Sequence, residues 1–254
     1  MYYIKKGIKT LRQDGIIVFI RKLHLHFLYK FKKKTEYHFV QSYRRYVRNL
    51  IKAYPIDEAM SMAVGDGNYY EIGTIEKNIL LNYGLKPYMN IVDYGCGSGR
   101  LAHALPTDYN LNYLGVDIID ELIDYAKTKT PSNYKYIINH KLNVPVESDT
   151  IDIVCAFSLF THLLHEESFI YMEDMKRALK KGGKLIFTFL EFGNSEHWSI
   201  FAERVETQKR TNTTPILDVF IEKSVIMLWA EKLGLKIIEL KSNQGQSLAV
   251  LEKE

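Results

Sequence analysis

Residues 91–99 read Ile91-Val92-Asp93-Tyr94-Gly95-Cys96-Gly97-Ser98-Gly99, an apolar β-rich run that opens into three alternating glycines, with a helical pattern beginning at Arg100. Glycine here lets the main chain approach a ligand that a side chain would hold off, and it supplies positive φ where a tight turn needs it. Amides at the start of the next helix then face that ligand. Taken singly, such a turn also serves helix packing, and Asp93 would do no more than cap it. Twenty positions after Gly97, however, a second strand-like run, Tyr113-Leu114-Gly115-Val116, ends at Asp117. A carboxylate at that point can accept from both hydroxyls of a ribose, so strand, turn and acid together predict a nucleoside site.

Outward from this unit the chain alternates. Strand-like runs at 90–94, 113–117, 134–138, 151–157, 184–190, 235–240 and 247–251 are interleaved with helical runs at 100–105, 121–129, 166–180 and 222–233. Such alternation implies crossover connections and a mostly parallel sheet. The last two runs are too close in sequence for a helical crossover, so 247–251 is expected antiparallel to 235–240. The predicted fold is α/β: a doubly wound, mostly parallel seven-stranded sheet with a terminal antiparallel strand, over residues 65–254, preceded by a helical extension over 1–64.

The extension carries most of the positive charge. Residues 1–50 hold 13 Lys/Arg against 2 Asp/Glu and the remainder 21 against 28, so the overall +4 divides into +11 and −7. From Ile4 to Phe31 apolar residues recur at helical intervals among Lys and Arg, which reads as an amphipathic basic helix. Such a helix either packs on the core with its charged face in water or lies on an anionic leaflet. The apolar run Ile16–Ile20 is too short to span a bilayer, and nothing reads as a secretory signal, so a cytoplasmic protein is expected. Two cysteines, Cys96 and Cys155, define neither a disulfide framework nor a thiolate zinc site. His162 and His165 beside Glu166 and Glu167 lack a third ligand at usable spacing, so no metal is expected.

The sixth position of a dinucleotide fingerprint, G-x-G-x-x-G, is Arg100 here, which fits a pyrophosphate site poorly. The run resembles instead motif I of class I S-adenosylmethionine-dependent methyltransferases, D-x-G-C-G-x-G. GVDIIDELIDYAK at 115–127, VPVESDTIDIVCAFSLFTHL at 144–163 and MKRALKKGGKLIFTF at 175–189 resemble three further motifs of that family, in order. The resemblance spans about residues 65–252 and implies S-adenosylmethionine as cofactor. It places Asp93, Gly95 and Gly97 at the methionine end, Asp117 on the ribose and Ile118 against the adenine. Asn139 and His140 stand where many relatives have an acid meeting the adenine amino group. Phe157 stands where relatives touch the cofactor through backbone, and Tyr69 or Tyr70 in a segment that often closes over it.

A sulfonium methyl is already electrophilic, so the protein's task is to hold the nucleophile in line and exclude water. An alcohol acceptor also needs a proton acceptor. His162, just past the fourth strand, is the first candidate, and relatives often carry a histidine there. Glu191 and His197, with Trp198, form a second candidate wall after the fifth strand, and 192–220 is long enough for a recognition insert. The leader faintly resembles segments beside sugar-transferring domains of bacterial surface-polysaccharide pathways. The expected activity is therefore O-methylation of a glycan or other small hydroxyl acceptor, with the basic helix either at the inner face of the membrane or packed on the core. A lipid, peptide or nucleic-acid acceptor, a non-catalytic S-adenosylmethionine-binding protein and an NAD(P)-dependent oxidoreductase are the alternatives. No familiar nucleic-acid-binding motif accompanies the basic residues.

Overall fold

The computed structural model describes residues 38–65, 67–211, 217–243 and 245–254. The basic helix expected over residues 4–31 lies outside them. Three helices come first: α1 (His38–Ala53), α2 (Ile56–Gly65) and α3 (Tyr69–Asn82). They are followed by β1 (Asn90–Tyr94), α4 (Arg100–Ala104), β2 (Asn112–Asp117), α5 (Asp120–Lys129), β3 (Lys135–Ile138) and β4 (Ile151–Ala156). Then come α6 (His165–Ala178), β5 (Leu179–Phe189), α7 (Ser195–Thr211), α8 (Lys223–Leu233), β6 (Leu235–Lys241) and β7 (Ser247–Lys253).

The seven strands form one sheet in the order β3-β2-β1-β4-β5-β7-β6. Strands β1 to β5 pair parallel, and β7 runs antiparallel to both β5 and β6, inserted between them. Because β1 has β2 on one side and β4 on the other, connections leave its carboxyl end in opposite directions and open a cleft there. The expected helix 166–180 ends sooner, at Ala178, because Leu179 already pairs with Ile151 as β5 begins. The insert after β5 forms the helix α7.

Both faces of the sheet are covered, which explains the unbroken apolar runs of its central strands. With side chains alternating by two, Val92, Tyr94, Val154 and Ala156 enter one core with Phe160, Met172 and Phe187. Ile91, Ile153 and Cys155 enter the other with Leu80, Leu101 and Tyr113. A third cluster joins the N-terminal helices to the rest: Val47 and Leu50 of α1 and Met60 and Ala63 of α2 pack with Ile119 and Leu122. Among the described residues no helix is long and apolar enough to cross a membrane.

Helix α3 reaches the glycine turn only because Gly73 lets it press on α4. A Cβ at Gly73 would stand 2.4 Å from the Arg100 carbonyl oxygen. Gly73→Ala should therefore lower the thermal midpoint, although helix propensity alone would favour alanine by about 1 kcal/mol. Circular-dichroism melting checks this, and a raised midpoint would show that the two helices separate at no cost.

Candidate active site

The turn after β1 is bent back on β2 by its own amides. Gly95, Gly97 and Gly99 all have positive φ, at 80°, 53° and 85°. Gly95 N and Cys96 N donate to the Val116 carbonyl at 2.7 and 3.1 Å, and Gly99 N donates to the Cys96 carbonyl. Gly97 N donates to Asp117 Oδ2 at 2.8 Å, while Ile118 N and Ile119 N donate to Oδ1 at 2.7 and 3.1 Å. The Asp117 carboxyl is buried, which pushes its pKa up, against the opposing pull of those three amides.

Two consequences follow for the ligand. A carboxylate offers about four lone-pair directions. With three taken by main-chain amides, Asp117 has one left, on Oδ2. The amides of Gly95, Cys96, Gly97 and Gly99 are already bonded within the protein, which leaves few to cradle a pyrophosphate. A nucleoside without phosphates, such as S-adenosylmethionine, suits this donor set better than a dinucleotide.

The turn is roofed by the N-terminal helices. A Cβ on Gly97 would lie 2.5 Å from Val64 Cγ1. Ser98 Oγ donates to the Met60 carbonyl at 3.0 Å, and the Tyr69 hydroxyl donates to the Ser98 carbonyl at 3.0 Å. Tyr69 is buried and Tyr70 exposed, so of the two only Tyr69 meets the turn. Ile118 is half-buried and packs against the cluster that α1 and α2 share with Leu122. Tyr43 of α1 donates its hydroxyl to the Ala63 carbonyl at 2.9 Å. Burial above all, and then the charge of Asp117, raise its pKa far above the usual phenol range.

Asp93 lies beneath the turn, buried, accepting the Tyr113 hydroxyl at 2.7 Å. Burial raises its pKa to about 7; the bond from Tyr113 opposes this and the Glu76 charge adds to it. Asn139 is spent on local structure: its Nδ2 donates to the Asn143 carbonyl at 2.7 Å and to Tyr94 Oη at 3.0 Å, and Lys141 N donates to its Oδ1. His140 beside it is exposed, and Phe157 is buried in the core cluster with Tyr113.

Just past the carboxyl end of β4 the backbone is strained. Ser158 has φ of 59°, uncommon for a residue with a Cβ. Its N donates to Thr188 Oγ1 at 2.8 Å, and its carbonyl accepts from Thr161 Oγ1 at 2.8 Å. Its hydroxyl meets Gln246 Oε1 at 3.3 Å and Arg100 at 3.4 Å. Arg100 is itself buried and bonds Glu76 of α3 through Nε at 2.9 Å. The residue that breaks the dinucleotide fingerprint thus ties α3 to the end of β4.

Of the three catalytic candidates, only His162 keeps a nitrogen for chemistry. Its Nδ1 faces the Leu217 carbonyl at 2.8 Å. A carbonyl only accepts, so Nδ1 carries the proton and Nε2 presents a lone pair, without a partner among the described residues. His197 differs: Glu191 N donates to its Nδ1 at 3.0 Å and its Nε2 faces the Gly245 carbonyl at 2.8 Å. Fully buried, it has no lone pair to offer and serves as a tie between β5, α7 and the loop before β7. Glu191 accepts from Ser242 and Ser247 at 2.7 and 2.5 Å. Burial pushes its pKa up, but the bonds from Ser247 and Ser242 and the charge of Lys223 outweigh it and hold it below the usual range. Such a satisfied carboxylate is a poor base at neutral pH.

Residues 92–187 match the family model of a methyltransferase domain. A methyltransferase of Bacillus cytotoxicus, itself uncharacterized, is 28% identical over 145 residues, 57% of this chain and 66% of the relative. One of Schizosaccharomyces pombe, likewise uncharacterized, is 28% identical over 108 residues, 42% of this chain and 41% of its own. The match thus takes in about two thirds of the Bacillus relative and less than half of the yeast one. A protein of Pyrococcus horikoshii has a similar solved fold, with a TM-score of 0.60, 21% identity and coverage of 76% of this chain and 96% of that one. Magnesium protoporphyrin IX methyltransferase of Synechocystis, solved with bound SAH, gives a TM-score of 0.56 at 17% identity, covering 73% and 82%. The chain thus has the fold of class I methyltransferases, and its residues 92–187 resemble a methyltransferase domain.

Sequence reasoning pointed to the turn and to Asp117, which the structure brings together, but missed Tyr43, Glu76, Ser158, Thr188 and Gln246, which hold the turn and the end of β4. These come from five distant segments, and no local pattern announces their meeting. The raised Asp93 pKa gives a prediction with a definite sign. Between the unfolded carboxyl pKa and about 7 the folded state holds a proton that the unfolded chain has lost, so this site's contribution to stability is lost as pH rises through about 7. Asp93→Asn, which keeps an acceptor for Tyr113, should raise the thermal midpoint at pH 8 by several degrees and leave it nearly unchanged at pH 4. Equal shifts at both would show that burial of the charge is not the cause.

Proposed function

We propose that this protein transfers the methyl group of S-adenosylmethionine to a hydroxyl oxygen of a glycan or another small hydroxyl acceptor, with His162 taking the proton. The observation that carries the reading is the histidine's single free nitrogen on the turn past β4, its tautomer fixed by the Leu217 carbonyl. When bound, S-adenosylmethionine supplies a methyl on a sulfonium, which needs only an aligned nucleophile. The chain does the rest. Asp117 gives one acceptor to the ribose, and Gly97 lets Val64 pack directly on the main chain of the turn. Val64 and Tyr69 close the turn from the N-terminal side, limiting the water that would compete with the acceptor. Ser158, held from both sides, fixes the start of the segment that carries His162.

An alcohol oxygen must lose its proton during transfer, and a histidine does this near neutral pH. That requirement favours an oxygen acceptor over a carbon or sulfur one, and the weak likeness of the leader to polysaccharide-pathway segments favours a glycan.

Supplying methyl-labelled cofactor to a lysate separated into glycans, lipids, nucleic acids and proteins should label the glycan fraction. His162→Asn preserves the donor to Leu217 while removing the base. It should cut kcat by about 100-fold or more and erase the acidic limb of the pH–rate profile, with cofactor affinity unchanged. A drop of less than about threefold with that limb intact removes His162 from catalysis.

The reaction site is proposed as cytoplasmic, with the +11 leader resting on the anionic leaflet. The full chain should co-sediment with vesicles containing anionic lipid, less so as salt rises. Equal recovery with neutral vesicles would end the membrane part of the reading.

A further inference from the structure

Four aromatic rings gather where α7 leaves β5. Phe192 and Phe220 stack with centroids 4.5 Å apart and planes 11° from parallel. Phe201 stands edge-on to both, at 5.3 and 5.8 Å, and Trp198 lies 5.2 Å from Phe201. Despite this packing Phe192 is 43% exposed and Trp198 52% exposed. A helix needing only a core would turn its tryptophan inward.

The rings are tied to the segment that orients His162. Leu217 supplies that histidine's carbonyl partner, Val219 N donates to the Thr161 carbonyl at 2.7 Å, and Phe220 bridges to Leu190. Phe220 lies three residues from Leu217, so the platform begins within about 10 Å of the Leu217 carbonyl. That is the span of one to two linked sugar rings. Beside the rings, Glu222 Oε1 accepts Phe192 N at 2.7 Å, and its second oxygen has no hydrogen-bond partner among the described residues.

We infer that Phe192 and Trp198 form an acceptor subsite that stacks the C–H face of a pyranose ring, with Glu222 accepting one of its hydroxyls. The inference rests on the hydroxyl-acceptor reading above and names the ring that the acceptor carries. The size of the patch selects this occupant. Fully buried aromatic side chains contribute about 150–250 Å² each, so the exposed parts of these two amount to about 200 Å². A stable protein interface needs about 800 Å² per partner. A hexose needs only one ring face, and its equatorial hydroxyls reach outward to a carboxylate at the rim.

Saturation-transfer NMR of the full chain with methyl α-pyranosides of glucose, galactose, mannose and rhamnose, and with benzyl alcohol for comparison, tests this without turnover. Saturation should reach the ring C–H protons of at least one pyranoside. It should fall at least fivefold in Trp198→Ala and persist in Trp198→Phe. Calorimetry with S-adenosylmethionine on the same three proteins should give equal affinities. No transfer to any pyranoside, transfer undiminished in Trp198→Ala, or transfer to benzyl alcohol alone overturns the subsite. Failure of the cofactor to bind while the sugars do would instead strike the methyltransferase reading and leave the subsite standing.

Discussion

The carboxylate of Asp117 holds three main-chain amides from two turns: Gly97 of the first, and Ile118 and Ile119 of its own. Everything at the cleft hangs from that clasp. Glycines with positive φ are free to take many conformations, and an open glycine turn would lose them all on binding. Bonding Gly97 to a buried carboxylate removes that freedom in advance, so the main chain is already fixed when a nucleoside arrives. The cost is a charge out of water, which three N–H donors offset.

The clasp also shapes what can bind. Amides that a phosphate would have used are turned inward, toward Val116 and Asp117. A single lone-pair direction of the acid, on Oδ2, is left outside the clasp. The roof completes the selection, because Val64 occupies the space beside Gly97 and Tyr69 caps the Ser98 carbonyl. The N-terminal helices are thus part of the site: Met60 and Ala63 share a hydrophobic cluster with Leu122, and Met60 also accepts the Ser98 hydroxyl.

What could be read in the sequence follows from where the causes lie. The glycine turn and Asp117 were legible because each is local: a strand, a bend, a strand tip, at fixed spacing. The sheet was legible for the same reason, its alternation being a property of short windows. Helix α6 ran past its true end in the reading because KRALKK has helical propensity, while Leu179 is claimed by a pairing with Ile151 that no window contains. The Glu76 to Arg100 bond, joining α3 to α4, was likewise invisible, as were the four partners of Ser158.

Histidines show the limit most clearly. His162 and His197 both follow a strand of the central sheet, and composition treats them alike. What separates them is a count of partners. A ring whose two nitrogens are both bonded to backbone is a strut: His197 receives Glu191 N on one side and gives its proton to Gly245 on the other. A ring bonded once, to a carbonyl, has its proton parked and its basic nitrogen aimed away from the bond that fixes it. The same interaction that orients His162 therefore sets which nitrogen can accept a proton. Leu217, contributing only a backbone oxygen, matters to that ring through position alone, so no substitution of its side chain would reveal its role. Altering the path of 217–220, which also carries Phe220, would move the His162 ring and the Phe192–Phe220 stack together.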